Sequence, residues 1–127
     1  MQHDDPKIDV RRQSGGVLLV RVKGSASYAN ALAYWTAIAE AIEERPAQYL
    51  LLIDELVGAP MSEAEWKRLV AEIGPRLGQL RIAHVKPLGL DTVEYCVLSA
   101  MGAGLDARVF EDERAANLWL HYGPPVD

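Results

Sequence analysis

A single cysteine, Cys96, stands among the 127 residues. It excludes an internal disulfide and any metal site built from several thiolates. No apolar run approaches the length needed to span a bilayer, and the polar start Met1-Gln2-His3-Asp4-Asp5 has nothing of a secretory signal. Basic residues are outnumbered 13 to 18 by acidic ones, for a formal net charge of −5, and they cluster only at Arg11-Arg12 and Lys67-Arg68. A chain without a basic stripe gains little from counterion release, so neither nucleic acid nor an anionic membrane surface is an expected partner. Internal repeats and low-complexity segments are missing too. These absences point to one cytoplasmic domain with no membrane span.

Half of the residues are hydrophobic and 24% are charged, which is enough for one well-filled core expected over about residues 7–122. Ile8 and Val10 alternate with polar neighbours over Lys7–Gln13, as in an edge strand, and Ser14-Gly15-Gly16 signals a turn into a second strand over 17–22. A helix is expected over about 27–45, with Tyr28, Leu32, Trp35, Ile38, Ala39 and Ile42 on its core face and Pro46 as its stop. The run Leu50-Leu51-Leu52-Ile53 reads as a strand buried on both faces, closed by Asp54 and followed by a loop from Glu55 to Met61. Ser62 and Glu65 form a capping box that starts the next helix, with Trp66, Leu69, Val70 and Ile73 inward and Gly74-Pro75 ending or kinking it. A strand over 80–85, a helix over about 91–101 and a short strand over 107–110 follow. The last helix is capped by Asp112 and has Ala115, Leu118, Trp119 and Tyr122 on its core side.

The expected order is β-β-α-β-α-β-α-β-α, an α/β fold with a mostly parallel, mixed five-stranded sheet and an antiparallel edge strand. Strands two to five in sequential order would place the crossovers on one side and create no switch-point crevice.

The chain resembles the STAS family and, within it, the small bacterial SpoIIAA-like proteins. The likeness is carried by Leu18-Leu19-Val20-Arg21-Val22-Lys23-Gly24, Leu51-Leu52-Ile53-Asp54-Glu55-Leu56, Arg81-Ile82-Ala83-His84-Val85 and the stretch from Ala107 to Leu120. It implies a non-enzymatic regulatory or protein-interaction module without a cofactor. It also implies a phosphorylation switch at the start of the second helix. The matching residue is Ser62, preceded by Met61 where the family has Asp, and followed by Glu63-Ala64-Glu65-Trp66. More distantly, the resemblance extends to lipid-carrier domains, which implies a carrier or sensor of a small apolar ligand.

The residues themselves offer few chemical centres. Ser62 serves as an N-cap, and a phosphate there would meet Glu63 and Glu65. Asp54 and Glu55, with Glu65 nearby, read as a solvated strand end, the alternative being an acidic cluster for acid–base or cation chemistry. His84 reads as a satisfied, partly buried histidine, and His3, His84 and His121 lack metal-ligand spacing. Cys96 reads as a small hydrophobe, and Gly102-Ala103-Gly104 as a helix cap. An enzyme would need a close carboxylate–histidine contact in a cleft. Tyr28, Tyr34, Trp35, Trp66 and Tyr95 read mainly as core. Tyr28, Met61, Trp66, Leu88, Leu90 and Tyr95 nevertheless gather at one end of the sheet, as a partner surface or a pocket mouth. The expected interaction surface is Tyr28, Asp54, Glu55, Met61, Ser62 and Trp66, within segments 24–28, 55–66 and 86–92. Homodimerisation is a further expectation, with no interface identified.

Overall fold

The computed structural model describes residues 6–58, 61–87 and 106–122. Two strands, β1 (Lys7–Gln13) and β2 (Val17–Ser25), form an antiparallel hairpin. Its turn uses Gly15 and Gly16 at φ 82° and 78°, a left-handed backbone that side chains disfavour. Then come α1 (Tyr28–Glu44), β3 (Tyr49–Val57), α2 (Glu63–Leu77), β4 (Arg81–Val85), β5 (Asp106–Phe110) and α3 (Glu113–Tyr122). The helix expected over about 91–101 lies outside the described residues, as do Cys96, Leu88, Leu90, Tyr95, His3 and the glycines at 102 and 104.

The sheet runs β1-β2-β3-β4-β5, with β1 antiparallel to β2 and every later pair parallel. The architecture is therefore α/β with a mixed five-stranded sheet. The strand order never reverses, and no switch-point crevice forms in it. Strand side chains alternate between faces. Leu18, Val20 and Val22 of β2, Leu50 and Leu52 of β3 and Ile82 of β4 face α1 and α2, packing on Trp35, Ile38, Trp66, Leu69 and Ile73. Val17, Leu51, Ile53, Ala83 and Val85 face the opposite way, onto Ala116, Trp119 and Leu120 of α3. Both faces of β3 are thus buried, which is why its apolar run is continuous rather than alternating.

Four features differ from the sequence expectation, the first being β2, which runs on through Lys23 to Ser25 where an end at Val22 is expected. β3 does not stop at Ile53 but runs through Asp54 and Glu55 to Val57, in register with β2 as far as Ser25↔Val57. Pro75 does not end α2, which continues one half-turn and buries Leu77. In α3 the inward stripe is Ala116, Trp119 and Leu120, while Leu118 and Tyr122 are 52% and 81% exposed. A helix lying on one sheet buries one stripe, here centred near Ala116. Leu118 and Tyr122 lie more than about 100° around the helix from that centre, which carries them into solvent.

Caps fix the helix ends. The Ser27 side chain accepts from the Asn30 N–H, and the Asp112 carboxylate accepts from the Ala115 N–H at 2.8 Å. Arg12 of β1 donates to the carbonyls of Ala41 and Arg45, each at 2.7 Å, adding a second donor to Ala41, which already accepts from the Arg45 N–H, and tying β1 to the end of α1. Ser62 forms both halves of the capping box: its Oγ accepts from the Glu65 N–H at 3.1 Å, and Glu65 Oε1 accepts from the Ser62 N–H at 3.0 Å. Ser62→Ala should cost about 1 kcal/mol of unfolding free energy, measured by urea denaturation, with the unfolding slope unchanged.

Candidate functional site

The carboxyl ends of β3 and β4 bring together three ionisable side chains on the face toward α1 and α2. Asp54 follows Leu52 by two residues along β3, and Leu52 lies opposite His84 on β4. Lys86 follows His84 by two, just past the end of β4, where its N–H donates to the carbonyl of Phe110. The period of two in a strand therefore directs all three side chains into the same layer. Their exposures are 3%, 1% and 4%.

Every donor in reach converges on the Asp54 carboxylate. Its Oδ1 accepts from the Leu56 N–H at 3.0 Å and from Lys86 Nζ at 3.1 Å, and its Oδ2 lies 2.8 Å from His84 Nε2. Lys86 Nζ donates as well to the Leu56 carbonyl. Burial pushes the Asp54 carboxyl up. The hydrogen bond and charge of His84, the charge of Lys86 and the Leu56 N–H outweigh it and hold the group below its ordinary value. An ionised Asp54 accepts from Nε2–H, which leaves Nδ1 as the ring nitrogen the carboxylate does not engage. Nδ1 has no partner among the described residues, and neither have Trp35 Nε1, Trp66 Nε1 or the Tyr28 hydroxyl. Trp35 stands edge-on to the His84 ring, with centroids 6.4 Å apart.

The structure departs from the sequence expectation at Asp54, Glu55, His84 and Lys86. Asp54 is not a solvated strand end, because β3 continues past it and Leu56 closes over it on the same face. Nor does it join Glu55 in an acidic cluster. Consecutive strand residues point to opposite faces, and Glu55 pairs instead with Arg21 at 3.0 Å, which also reaches Glu113 of α3 at 3.2 Å. His84 is fully rather than partly buried, with one ring nitrogen satisfied and one open. Lys86, expected on the surface in segment 86–92, is instead buried in the cluster. The signal for it was the alternation Ile82-His84-Lys86, which continues the buried face of β4 one residue beyond the strand.

The six residues of the expected interaction surface do not form one surface. Met61 and Trp66 are buried at 8% and 3% beside Asp54's layer. Tyr28 is half-buried under the Arg68 guanidinium, 5.4 Å from its ring centroid. Glu55 is half-exposed, and Ser62 is exposed. His121 lies on the other side of the sheet, 5.9 Å from the Tyr49 ring, and takes no part in the cluster.

Chemically, the Asp54–His84 contact is the kind an acid–base site uses, since a carboxylate on one ring nitrogen orients the imidazole. It sits within the packed layer under α1 and α2. A depression on the outer side of α3, lined by Glu113, Arg114, Asn117, Leu118, His121 and Tyr122, belongs to the opposite face of the sheet. Among the described residues, no three His, Cys, Asp or Glu side chains gather as a metal site, and no helix is long and apolar enough to cross a membrane.

No family model matches the chain, and no curated protein matches it.

Removing Asp54 leaves the Lys86 ammonium buried without its counter-ion. Asp54→Ala should therefore destabilise the fold by about 3–5 kcal/mol at neutral pH. The pH dependence follows from the lowered carboxyl. The stabilisation is complete above the unfolded value of about 3.9 and is lost as pH falls from there through the folded value. Urea denaturation of wild type and Asp54→Ala should show a gap that is wide at pH 7 and narrows in acid.

Proposed function

We propose that the chain is a STAS-like, SpoIIAA-like module without enzymatic activity, which regulates or recruits a partner protein through the rim at the carboxyl end of its sheet. The observation that carries this reading is the sheet itself. It is a mixed five-stranded sheet, with one antiparallel edge strand followed by parallel strands in unbroken order, and the step from it to a STAS-like function is analogy of fold. A non-enzymatic role is supported by the place of the Asp54–His84 contact, which is buried in the packed layer and not in a cleft.

The rim is redrawn by what is exposed. Val57 is 57% exposed at the end of β3, flanked by Gly58 and by Glu55 on the α3 side. Ser62, Glu63 and Glu65 open α2 with an exposed acidic turn. Tyr28 and Arg68 border it. An apolar residue amid carboxylates suits a partner face with basic and apolar side chains. Phosphorylation of Ser62 would break the capping box and set a dianion beside Glu63 and Glu65, so on this rim it would act to release rather than to dock.

Val57→Asp changes this rim without touching the core. Proteins that copurify with the wild-type chain from its host should be lost with Val57→Asp and kept with Tyr122→Ser on α3. A partner set indifferent to Val57→Asp would remove the rim from the account.

A second reading, a carrier or sensor of a small ligand, is favoured by one observation: the open polar atoms of His84, Trp35, Trp66 and Tyr28 in a single buried layer. A buried donor or acceptor left unsatisfied costs on the order of 1–3 kcal/mol. Those atoms suit an apolar molecule that carries a hydroxyl or carbonyl group rather than a pure hydrocarbon. Native mass spectrometry of the chain purified from its host separates the cases. Added mass lost on denaturation supports the carrier, and the bare chain mass excludes it.

A further inference from the structure

The sheet ends on one side at β1, seven residues whose outer edge pairs with no strand among the described residues. Natural edge strands are kept from pairing by shortness, proline, a bulge or charge. β1 matches β2 over seven consecutive residues, from Lys7↔Lys23 to Gln13↔Val17, so no bulge interrupts it, and its sequence contains no proline. Val10, on the face toward α1, is 40% exposed. Charge is the one device left. Lys7, Asp9 and Arg11 lie on the α3 face and Arg12 on the other, where its guanidinium is taken up by the end of α1.

Two copies of a sheet joined edge to edge by a two-fold axis pair antiparallel, and opposed residues share a face, so registers differ in steps of two. Centred on Val10, the pairing sets Asp9 of each copy against Arg11 of the other, Val10 against Val10, and the Arg12 stem against Ile8. Centred on Asp9, it sets Asp9 against Asp9 and Lys7 against Arg11. Centred on Arg11, it sets Arg11 against Arg11. Opposite charges across a strand pair stabilise it and like charges destabilise it. One register alone of the three is self-complementary. Within one copy Arg11 Nε already pairs with Asp9 Oδ2 at 3.1 Å, an exposed contact that the pairing across copies would exchange or share.

We infer that β1 pairs with the β1 of a second copy, antiparallel about Val10, to make one continuous sheet with α1 and α2 of both copies on the same side. This pairing lies on the edge of the sheet remote from β4 and is independent of the partner rim.

Light scattering after size exclusion and native mass spectrometry, run on the full chain over a concentration series, test it. Wild type should dimerise. Asp9→Arg and Arg11→Asp, both exposed positions, should each weaken the dimer at least tenfold with unchanged circular dichroism. The combined Asp9→Arg/Arg11→Asp chain should regain it, because the reversed charges again oppose each other. The register has its own reading. Directly opposed residues on antiparallel strands have Cα atoms about 4.5–5.5 Å apart, within reach of a disulfide. Val10→Cys in a Cys96→Ser background should therefore crosslink to a dimer on oxidation. A wild-type chain that remains monomeric up to about 100 µM overturns the inference. So does a dimer indifferent to both single reversals, or a combined chain that stays monomeric while folded.

Discussion

The Asp54 carboxylate occupies the apolar face of β3 between Leu52 and Leu56, where an unpaired charge costs several kcal/mol, of order a whole domain's net stability. The chain offsets that cost with donors from two strands: the Leu56 N–H from its own, and His84 and Lys86 from β4. The result is a clamp across the parallel pair at the end where their helical connections leave. β3 is the central strand, buried on both faces, and the layers on either side of it are positioned by that same pair. Arg21 repeats the device more weakly on the other face, tying β2 and β3 to the start of α3 through exposed ion pairs that solvent screens.

Much of this frame is readable in the residues. The continuous run from Leu50 to Ile53 marks a strand covered on both sides, the glycines at 15 and 16 mark the hairpin, and Ser62 with Glu65 marks the start of α2 to the residue. Each of these signals is local, depending on neighbours within four positions. The Asp54 cluster is not local. Its members are thirty residues apart, and an acid at the end of an apolar run looks the same whether the strand stops there or continues. The clue lay in Leu56 and Val57 beyond it, and in the alternation Ile82-His84-Lys86. Leu118 and Tyr122 show the opposite failure. Their spacing is helical, but a short helix resting on one sheet has room for a single narrow stripe, and Ala116, Trp119 and Leu120 occupy it.

The same distinction reshapes the functional reading. Met61, Trp66 and Asp54 belong to the frame, and what they leave outside is a rim of Val57, Glu55 and the first turn of α2. Three features therefore have separate places on the molecule: the exposed rim proposed to meet a partner, a buried layer with open polar atoms beneath α1 and α2, and the β1 edge inferred to pair with a second copy. Changes at Val57 or at Asp9 and Arg11 should leave the buried layer intact, since those side chains are exposed.

The clamp at Asp54 is the claim on which the account rests, and the carboxyl group reports on it directly. A carbon-detected NMR titration of the Asp54 side chain in the folded protein should give a midpoint below the ~3.9 of an unfolded aspartate. His84→Phe should move that midpoint upward by removing one donor. A wild-type midpoint at or above the unfolded value would mean that burial wins over the three donors, and would contradict the clamp.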